Sequence, residues 1–511
     1  MPLIPTIINW FNVKRMHQIS LFKSYPVEVQ EEELMKLLGK AENTEWGKTC
    51  HFQTIKSPEE FRKSVPLHTY EDLNPVIDRI RDGGRNILWP GEIKWFAKSS
   101  GTTSSKSKFI PMSKDALEEC HFRGGKDALV LHCNSFPETG IFKGKGLTLG
   151  GSQKINNYTN QSYYGDLSAI LINNIPFWAD FIRTPPQKIA LLDDWDKKLE
   201  EISRTTIQEN VTNLAGVPSW NLVLIQYILK QTGKDHLLEV WPNLELFIHG
   251  GVSFKPYRKQ FEHLIPSSRM NYMETYNASE GFFGIQDDPA TDDMLLMLDY
   301  GIYYEFIPMN AFKGTDSETI TIGEVIPGEN YALVISTNGG LWRYIIGDTV
   351  MFSQVFPHKI RISGRTKHYM NAFGEELIID NAEKALGIAC EKTNAQICEY
   401  TAAPIFMTEG KKGTHEWILE FEKEPDDLDY FKEILDQALM SVNSDYEAKR
   451  YHDITLVKPK VRSVRKGTFY QWFSIRGKLG GQNKIPRLSN DRKFVEEILD
   501  IAVQNESLEP D

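Results

Sequence analysis

Five short runs carry residue types that handle phosphate, ribose and developing negative charge. The first is Lys98-Ser99-Ser100-Gly101-Thr102-Thr103-Ser104-Ser105-Lys106-Ser107-Lys108, which follows a short apolar run. Such a loop can present backbone N–H groups, hydroxyls and ammonium groups to phosphate oxygens. It lacks GxxxxGK[ST], and the same composition also describes a flexible linker. The second is Tyr272-Met273-Glu274-Thr275-Tyr276-Asn277-Ala278-Ser279-Glu280-Gly281. A tyrosine can stack on adenine, and Glu280 offers Mg2+ the hard oxygen it requires; a strand end turning into a loop reads the same way. In the third, Trp342-Arg343-Tyr344-Ile345-Ile346-Gly347-Asp348-Thr349, an aspartate after glycine at a strand end is suited to two ribose hydroxyls. It equally suits a turn that caps its own backbone. The fourth, Ser363-Gly364-Arg365-Thr366-Lys367 followed by Asn371-Ala372-Phe373-Gly374-Glu375, has the small polar residues of a hinge. The fifth runs from Gly477 to Arg487 and puts Lys484 near the tip of a glycine-bearing loop. A lysine delivered by a moving domain can neutralise an α-phosphate, whereas an idle one is a basic surface loop.

These runs need elements to hold them. The first hundred residues read as helical, and PLHTYEDLNPVIDRIRDGG offers Thr69 as a cap with Asp72 three residues later. IKWFAKS is strand-like. From 145 to 350, short apolar runs alternate with helical stretches, which predicts an α/β fold with parallel strands and an antiparallel portion around 295–350. The texture changes near 362, where RISGRTKHYMNAFGEELI reads as a turn-rich crossing. Beyond it DNAEKALGIACEK and LDYFKEILDQALMSVN read as helices and EWILEFEKE as a strand. The expected division is 1–362, a hinge at 363–368, and a C-terminal domain over 369–511.

Composition narrows the classes. The chain has 511 residues, 41% of them hydrophobic, so it can bury large cores. A net charge of −11 gives no global pull towards nucleic acid or an anionic membrane. The five cysteines are scattered without CxxC spacing, which suits reduced thiols in the cytoplasm. No apolar run reaches the ~18 residues of a membrane span. MPLIPTIINWF lacks a basic stretch and carries Pro5, so it reads as structural and not as a signal peptide. The expected partners are small molecules, with no nucleic acid, no membrane, and a monomer favoured.

In order and spacing, SSGTTS, YNASEG, WRYIIGDTV, the SGRTK crossing and NKIPR resemble the Gretchen Hagen acyl acid–amido synthetases. That family lies in the adenylate-forming superfamily with acyl-CoA ligases and luciferase. VPLHTYEDLNPVIDRI looks like its N-terminal signature, and the resemblance runs from about residue 65 to 490. It implies an adenylate-forming fold: a large N-terminal domain of mixed sheets and helices plus a smaller, mobile α+β C-terminal domain. It also implies adenylation of a carboxylic acid by ATP with Mg2+, then transfer of the acyl group to an amino acid's amine. By that resemblance Ser99, Ser100, Gly101, Thr102 and Thr103 wrap the β- and γ-phosphates. Tyr276 lies against adenine, Ala278 and Ser279 sit close to nucleotide and acyl carbonyl, and Glu280 holds Mg2+. Asp348 holds the ribose, Arg365 and Lys367 contact ribose or phosphate, and Lys484 meets the α-phosphate. Thr366 stands where the superfamily places a hinge aspartate, and the chain is shorter than plant members.

Adenylation turns a poor electrophile into one with a good leaving group and needs no protein nucleophile, which agrees with the lack of a GxSxG elbow. The second step needs a neutral amine. His249, beside Gly250-Gly251, is a candidate base or a packed strand-end histidine. An apolar acyl pocket can be drawn from Phe122, Arg123, Tyr164, Phe177, Trp178, Val217 and Trp220, with Arg123 able to meet a substrate carboxylate. Two rival functions remain at this stage. One is a thioester-forming ligase that shares the first half-reaction; the other is a non-catalytic nucleotide- or acyl-binding protein.

Overall fold

The computed structural model describes all residues except 1–2, 100–107, 151–155, 160–161, 176–180, 193, 252–253, 256, 367–368, 371, 373–374, 376, 407–412, 444–445, 448–449, 451–455, 477–484, 490 and 508–511. The chain forms two compact units. The first comprises Met1–Ser99, Lys106–Val252 and Leu264–Ile362; the second gathers Ser253–His263 and Ser363–Asp511.

The first unit opens with helices, as the periodicity predicts. Pro26–Ala41 turns Leu34, Leu37, Leu38 and Ala41 inward. Tyr70–Arg81 starts at the predicted cap, where Asp72 Oδ2 accepts the Thr69 N–H at 2.7 Å. A small sheet follows, ordered Lys108–Met112, Trp95–Ser99, Ser162–Gly165, Asn156–Thr159. Its central pair is parallel, with Ala97 opposite Gly165, and Ser99 faces Lys108 across the antiparallel neighbour.

The large sheet has eleven strands. Lys145–Thr148, Val211–Gly216, Leu246–Gly250 and Asn271–Ala278 run parallel. From Asn271–Ala278 the sheet continues antiparallel through Gly281–Ile285 and Met294–Leu296 to His358–Arg365, and Ile302–Pro308, Asn330–Thr337 and Tyr344–Val355 are antiparallel in turn. The antiparallel portion is therefore wider than the 295–350 stretch read from the sequence. Residues 363–365, read as part of a turn-rich crossing, instead end the strand His358–Arg365. Glycine and serine are poor strand formers in isolation, and the folded context overrides that preference.

Buried polar side chains fasten the helical start to the sheet: Gln30 donates to Leu298 O and Ile302 O at 2.8 and 2.9 Å, and Arg343 makes a second anchor. Arg343 donates to both oxygens of Glu305 (Nε–Oε2 2.9 Å, Nη2–Oε1 3.0 Å). It also donates to Thr319 Oγ1 at 2.8 Å and to the carbonyls of Arg62 and Val65 at 3.0 and 2.7 Å. Glu305 is 1% exposed. Next to it, His68 N–H donates to Arg343 O and Ile345 N–H to His68 O.

The second unit has its own core. Gln396–Ile405 and Thr414–Lys423 are antiparallel, and Lys460–Val464 lies parallel to the latter. The helices Ile379–Thr393 and Leu428–Val442, both expected, bury Leu386, Ala389, Phe431 and Leu435 with Trp417 and Leu419. Among the described residues no helix is long and apolar enough to cross a membrane.

Removing a partner from a buried, hydrogen-bonded ion pair strands the other charge at a cost of about 3–5 kcal/mol. Arg343→Met should lower the stability of the first unit by that amount in urea unfolding, and Arg343→Met with Glu305→Leu should recover much of it. A single variant as stable as the parent would show that the pair does not hold the segment.

Candidate active site

The parallel strands of the large sheet bring their C-terminal ends level. Gly216 stands opposite His249, and His249 opposite Glu274. Ligand sites of open α/β sheets form outside such ends. Gly250 permits the close approach here: a Cβ would lie 2.4 Å from the Thr275 carbonyl oxygen. Thr275 Oγ1 in turn donates to His249 O at 3.1 Å. The next strand ends in a tight hairpin, with Ala278 paired to Gly281, so Ser279 and Glu280 are its whole turn. Ser279 is buried and Glu280 half-buried.

Tyr276 and Asp348 meet. The Tyr276 hydroxyl donates to Asp348 Oδ2 at 2.7 Å, across 72 residues of sequence. The ring packs on Phe283 with centroids 4.8 Å apart. Asp348 follows Gly347, whose φ of +91° is a left-handed conformation that glycine takes without strain. A charge-assisted bond to tyrosine holds the carboxylate in one orientation. Tyr344 sits between the acidic groups: burial raises its pKa well above the usual value, and the charges of Glu280, Glu71 and Asp348 add to the shift. Lys108 Nζ reaches the Tyr344 hydroxyl at 3.4 Å and lies over the rings of Tyr70 and Tyr344. Tyr276, Glu280 and Asp348 are thus brought together near Tyr344 and Lys108, with Ser279 beside Glu280 in the turn.

Glu280 fits Mg2+ in a limited way. No cluster of three or more acidic, histidine or cysteine side chains suited to a metal occurs among the described residues. A single half-buried carboxylate suits an ion that keeps its waters and arrives on phosphate oxygens. It does not suit a resident all-protein cage.

Two charged side chains stand apart. Asp166 directly follows Gly165 and precedes the helix Leu167–Asn174, yet its side chain makes no capping bond. It is 3% exposed, and its Oδ2 has no hydrogen-bond partner. Burial pushes its pKa up to about 6, opposed by the charges of Lys98 and Lys198. Lys198 is engaged, donating to Gly150 O at 2.9 Å. Among the described residues Lys98 has no ion pair.

The remaining expected residues are scattered. Arg123 donates to the Asp299 carbonyl at 2.8 Å, so its guanidinium is engaged in the fold. Tyr164 packs edge-to-face on Phe109, with centroids 5.3 Å apart. Val217 and Trp220 are half-buried at the start of the helix Pro218–Thr232. His249 is buried, its ring 5.4 Å from that of Phe247. Arg365 ends its strand. Ser100, Gly101, Thr102, Thr103, Phe177, Trp178, Lys367 and Lys484 lie outside the described residues, as does the side chain of Ser99. Sequence reasoning passed over Tyr344, Lys108 and Asp166. Lys108 closes the Ser/Thr/Lys run and could have been singled out; an aspartate before a helix gave no signal beyond a cap.

Models of the GH3 family N-terminal, central and C-terminal domains match residues 15–270, 295–365 and 380–493 in order. The chain belongs to the GH3 family. It is 24% identical to the probable indole-3-acetic acid-amido synthetase GH3.1 of Arabidopsis thaliana, over 94% of this chain and 92% of that one. Among solved structures, the AtGH3.15 acyl acid amido synthetase in complex with 2,4-DB superposes with a TM-score of 0.76 at 17% identity, covering 93% of both chains. A 2-hydroxyisobutyryl-CoA ligase in its postadenylation state gives 0.60 at 12% identity, over 93% of this chain and 91% of that one. Both likenesses establish the adenylate-forming fold of this GH3 chain.

Asp166 gives a pH signature. A carboxyl raised from 3.8 to about 6 binds a proton in the folded state that the unfolded state releases. Its contribution to stability is full below the unfolded value and is lost as pH rises through about 6. Asp166→Asn should therefore be more stable than the parent by about 3 kcal/mol at pH 7.5, with the advantage shrinking towards pH 5. Urea unfolding of both proteins at the two pH values measures this; a pH-independent difference would contradict it.

Proposed function

We propose that this chain is an ATP-dependent amido synthetase. It adenylates a carboxylic acid, giving acyl-AMP and pyrophosphate, and passes the acyl group to the amine of an amino acid. The observation that carries the reading is the match, in order, to all three GH3 domains, in a family whose relatives over nearly the full chain bear amido-synthetase names.

In this reading the loop from Ser99 to Thr103 surrounds the β- and γ-phosphates, with Lys108 beside them. Tyr276 and Asp348 act as one unit: the phenol fixes the carboxylate that accepts the ribose hydroxyls, while Ala278 and Ser279 border nucleotide and acyl carbonyl. Glu280 holds Mg2+, which screens phosphate charge as the carboxylate oxygen attacks phosphorus. Residues 369–511 turn about 363–368, Arg365 and Lys367 follow the nucleotide, and Lys484 approaches the α-phosphate. The acyl group lies towards Tyr164, Val217, Trp220, Arg123 and His249. The reaction requires only small soluble substrates, which agrees with a cytoplasmic monomer.

The test is pyrophosphate release with ATP and Mg2+ against aromatic, indole-type and fatty carboxylic acids, each alone, with amino acids, and with CoA. Acid-dependent release that is sustained by amino acids and not by CoA is expected. Turnover with CoA alone would move the chain to the thioester ligases. Lys484→Ala should reduce adenylation about 100-fold or more while nucleotide affinity is kept, since a group acting on developing charge is worth that much. Equal loss of nucleotide affinity would assign Lys484 to ground-state binding. Glu280→Gln should raise the Mg2+ concentration needed for half-maximal rate about ten-fold; an unchanged requirement would remove Glu280 from the metal.

A further inference from the structure

We propose that Lys98 and Asp166 recognise the zwitterionic head of the acceptor amino acid, Asp166 taking the ammonium and Lys98 the carboxylate. The proposal rests on the amido-synthetase reading and gives its second substrate a site.

The two residues sit at equivalent places. Ala97 and Gly165 are paired across parallel strands, so Lys98 and Asp166 are the next position on each. In-register neighbours on parallel strands present their side chains to the same face. Both lie at the end of the small sheet from which the Ser/Thr/Lys run departs, and Lys98 acts on Asp166 through its charge. No ion pair joins them among the described residues. Phe109, opposite Lys98, packs on Tyr164, two residues before Asp166, and so links this end of the small sheet to Lys108.

A carboxylate this deep, with an oxygen that bonds to nothing, is costly unless a ligand completes it. Asp before a helix ordinarily caps the backbone; here the side chain forgoes that bond. Lys198 supplies positive field, but its ammonium is committed to the Gly150 carbonyl. A cation and an anion placed close without pairing complement a molecule that carries both charges on adjacent atoms. A simple amine, a metal ion or a thiol would satisfy only one of them.

The same placement supplies the base that the second step needs. Asp166 accepts one proton from the bound ammonium. The freed nitrogen lone pair attacks the acyl carbonyl carbon, and the carbon–oxygen bond to phosphate breaks. AMP leaves with that electron pair, and the second N–H proton passes to water. Burial has moved the carboxyl to about 6, which makes it a stronger base than an ordinary carboxylate.

Two assays on the full chain test this: acid-dependent exchange of pyrophosphate into ATP without amine, and AMP release that depends on the amino acid. Asp166→Asn should leave exchange within about two-fold and raise the amino acid KM about ten-fold or more, with a lower kcat. Lys98→Gln should raise KM for the amino acid by a similar factor and leave KM for its primary amide, which lacks the carboxylate, unchanged. If exchange proceeds in the parent and both variants keep the parent's amine kinetics, the proposal is overturned and the amido-synthetase reading stands. If either variant loses exchange as much as AMP release, its residue serves the nucleotide, which also overturns the proposal. A parent with no exchange for any acid overturns the underlying reading and this proposal with it.

Discussion

The Arg343 guanidinium has five N–H donors, and each finds an oxygen in Glu305, Thr319, Arg62 or Val65. Much of the first unit follows from that arrangement. The ion pair is almost dry, so it tolerates neither a missing partner nor a shifted one. It fixes the segment before the helix Tyr70–Arg81 against the start of the strand Tyr344–Val355. That strand then delivers Tyr344 and, past Gly347, Asp348. The acidic residue that meets Tyr276 is thus located by a cation five residues earlier that takes no part in the chemistry.

Within the site the polar groups fall into two kinds. Tyr276 and Asp348 satisfy one another, and their geometry is set before any ligand arrives. Asp166 keeps a buried oxygen without a hydrogen-bond partner, so folding leaves a local electrostatic cost that the charge of Lys98 only partly offsets. Preorganisation suits a group that holds a substrate in a constant pose. Residual frustration suits one that must exchange a proton and release its ligand.

The division between what could and could not be read from the sequence follows sequence distance. Thr69 with Asp72, the helices Ile379–Thr393 and Leu428–Val442, and the alternating strands are written in local spacing, and they were legible. So were Tyr276, Glu280 and Asp348 as residue types, because each lies in a compact run. Their mutual contact was not, since the Tyr276–Asp348 bond spans 72 residues. Residues 363–365 misled because glycine and serine suggest a turn, whereas they end the strand His358–Arg365. Asp166 was silent for another reason: an aspartate before a helix predicts a cap, and only the folded environment reveals that the bond is not made.

The hairpin at Glu280 carries an implication for how such chains diverge. Ala278 and Gly281 are paired, so two residues make up the entire turn. The strand after it is buried on both faces, so a one-residue slip would have to exchange Phe282 and Phe283 between two separately packed surroundings. Phe282, Phe283 and Ile285 are all buried, which leaves no room for that exchange. The length of this turn is therefore frozen by the core beneath it. Changes in which acid or amine is accepted have to be written into segments whose length the sheet does not count.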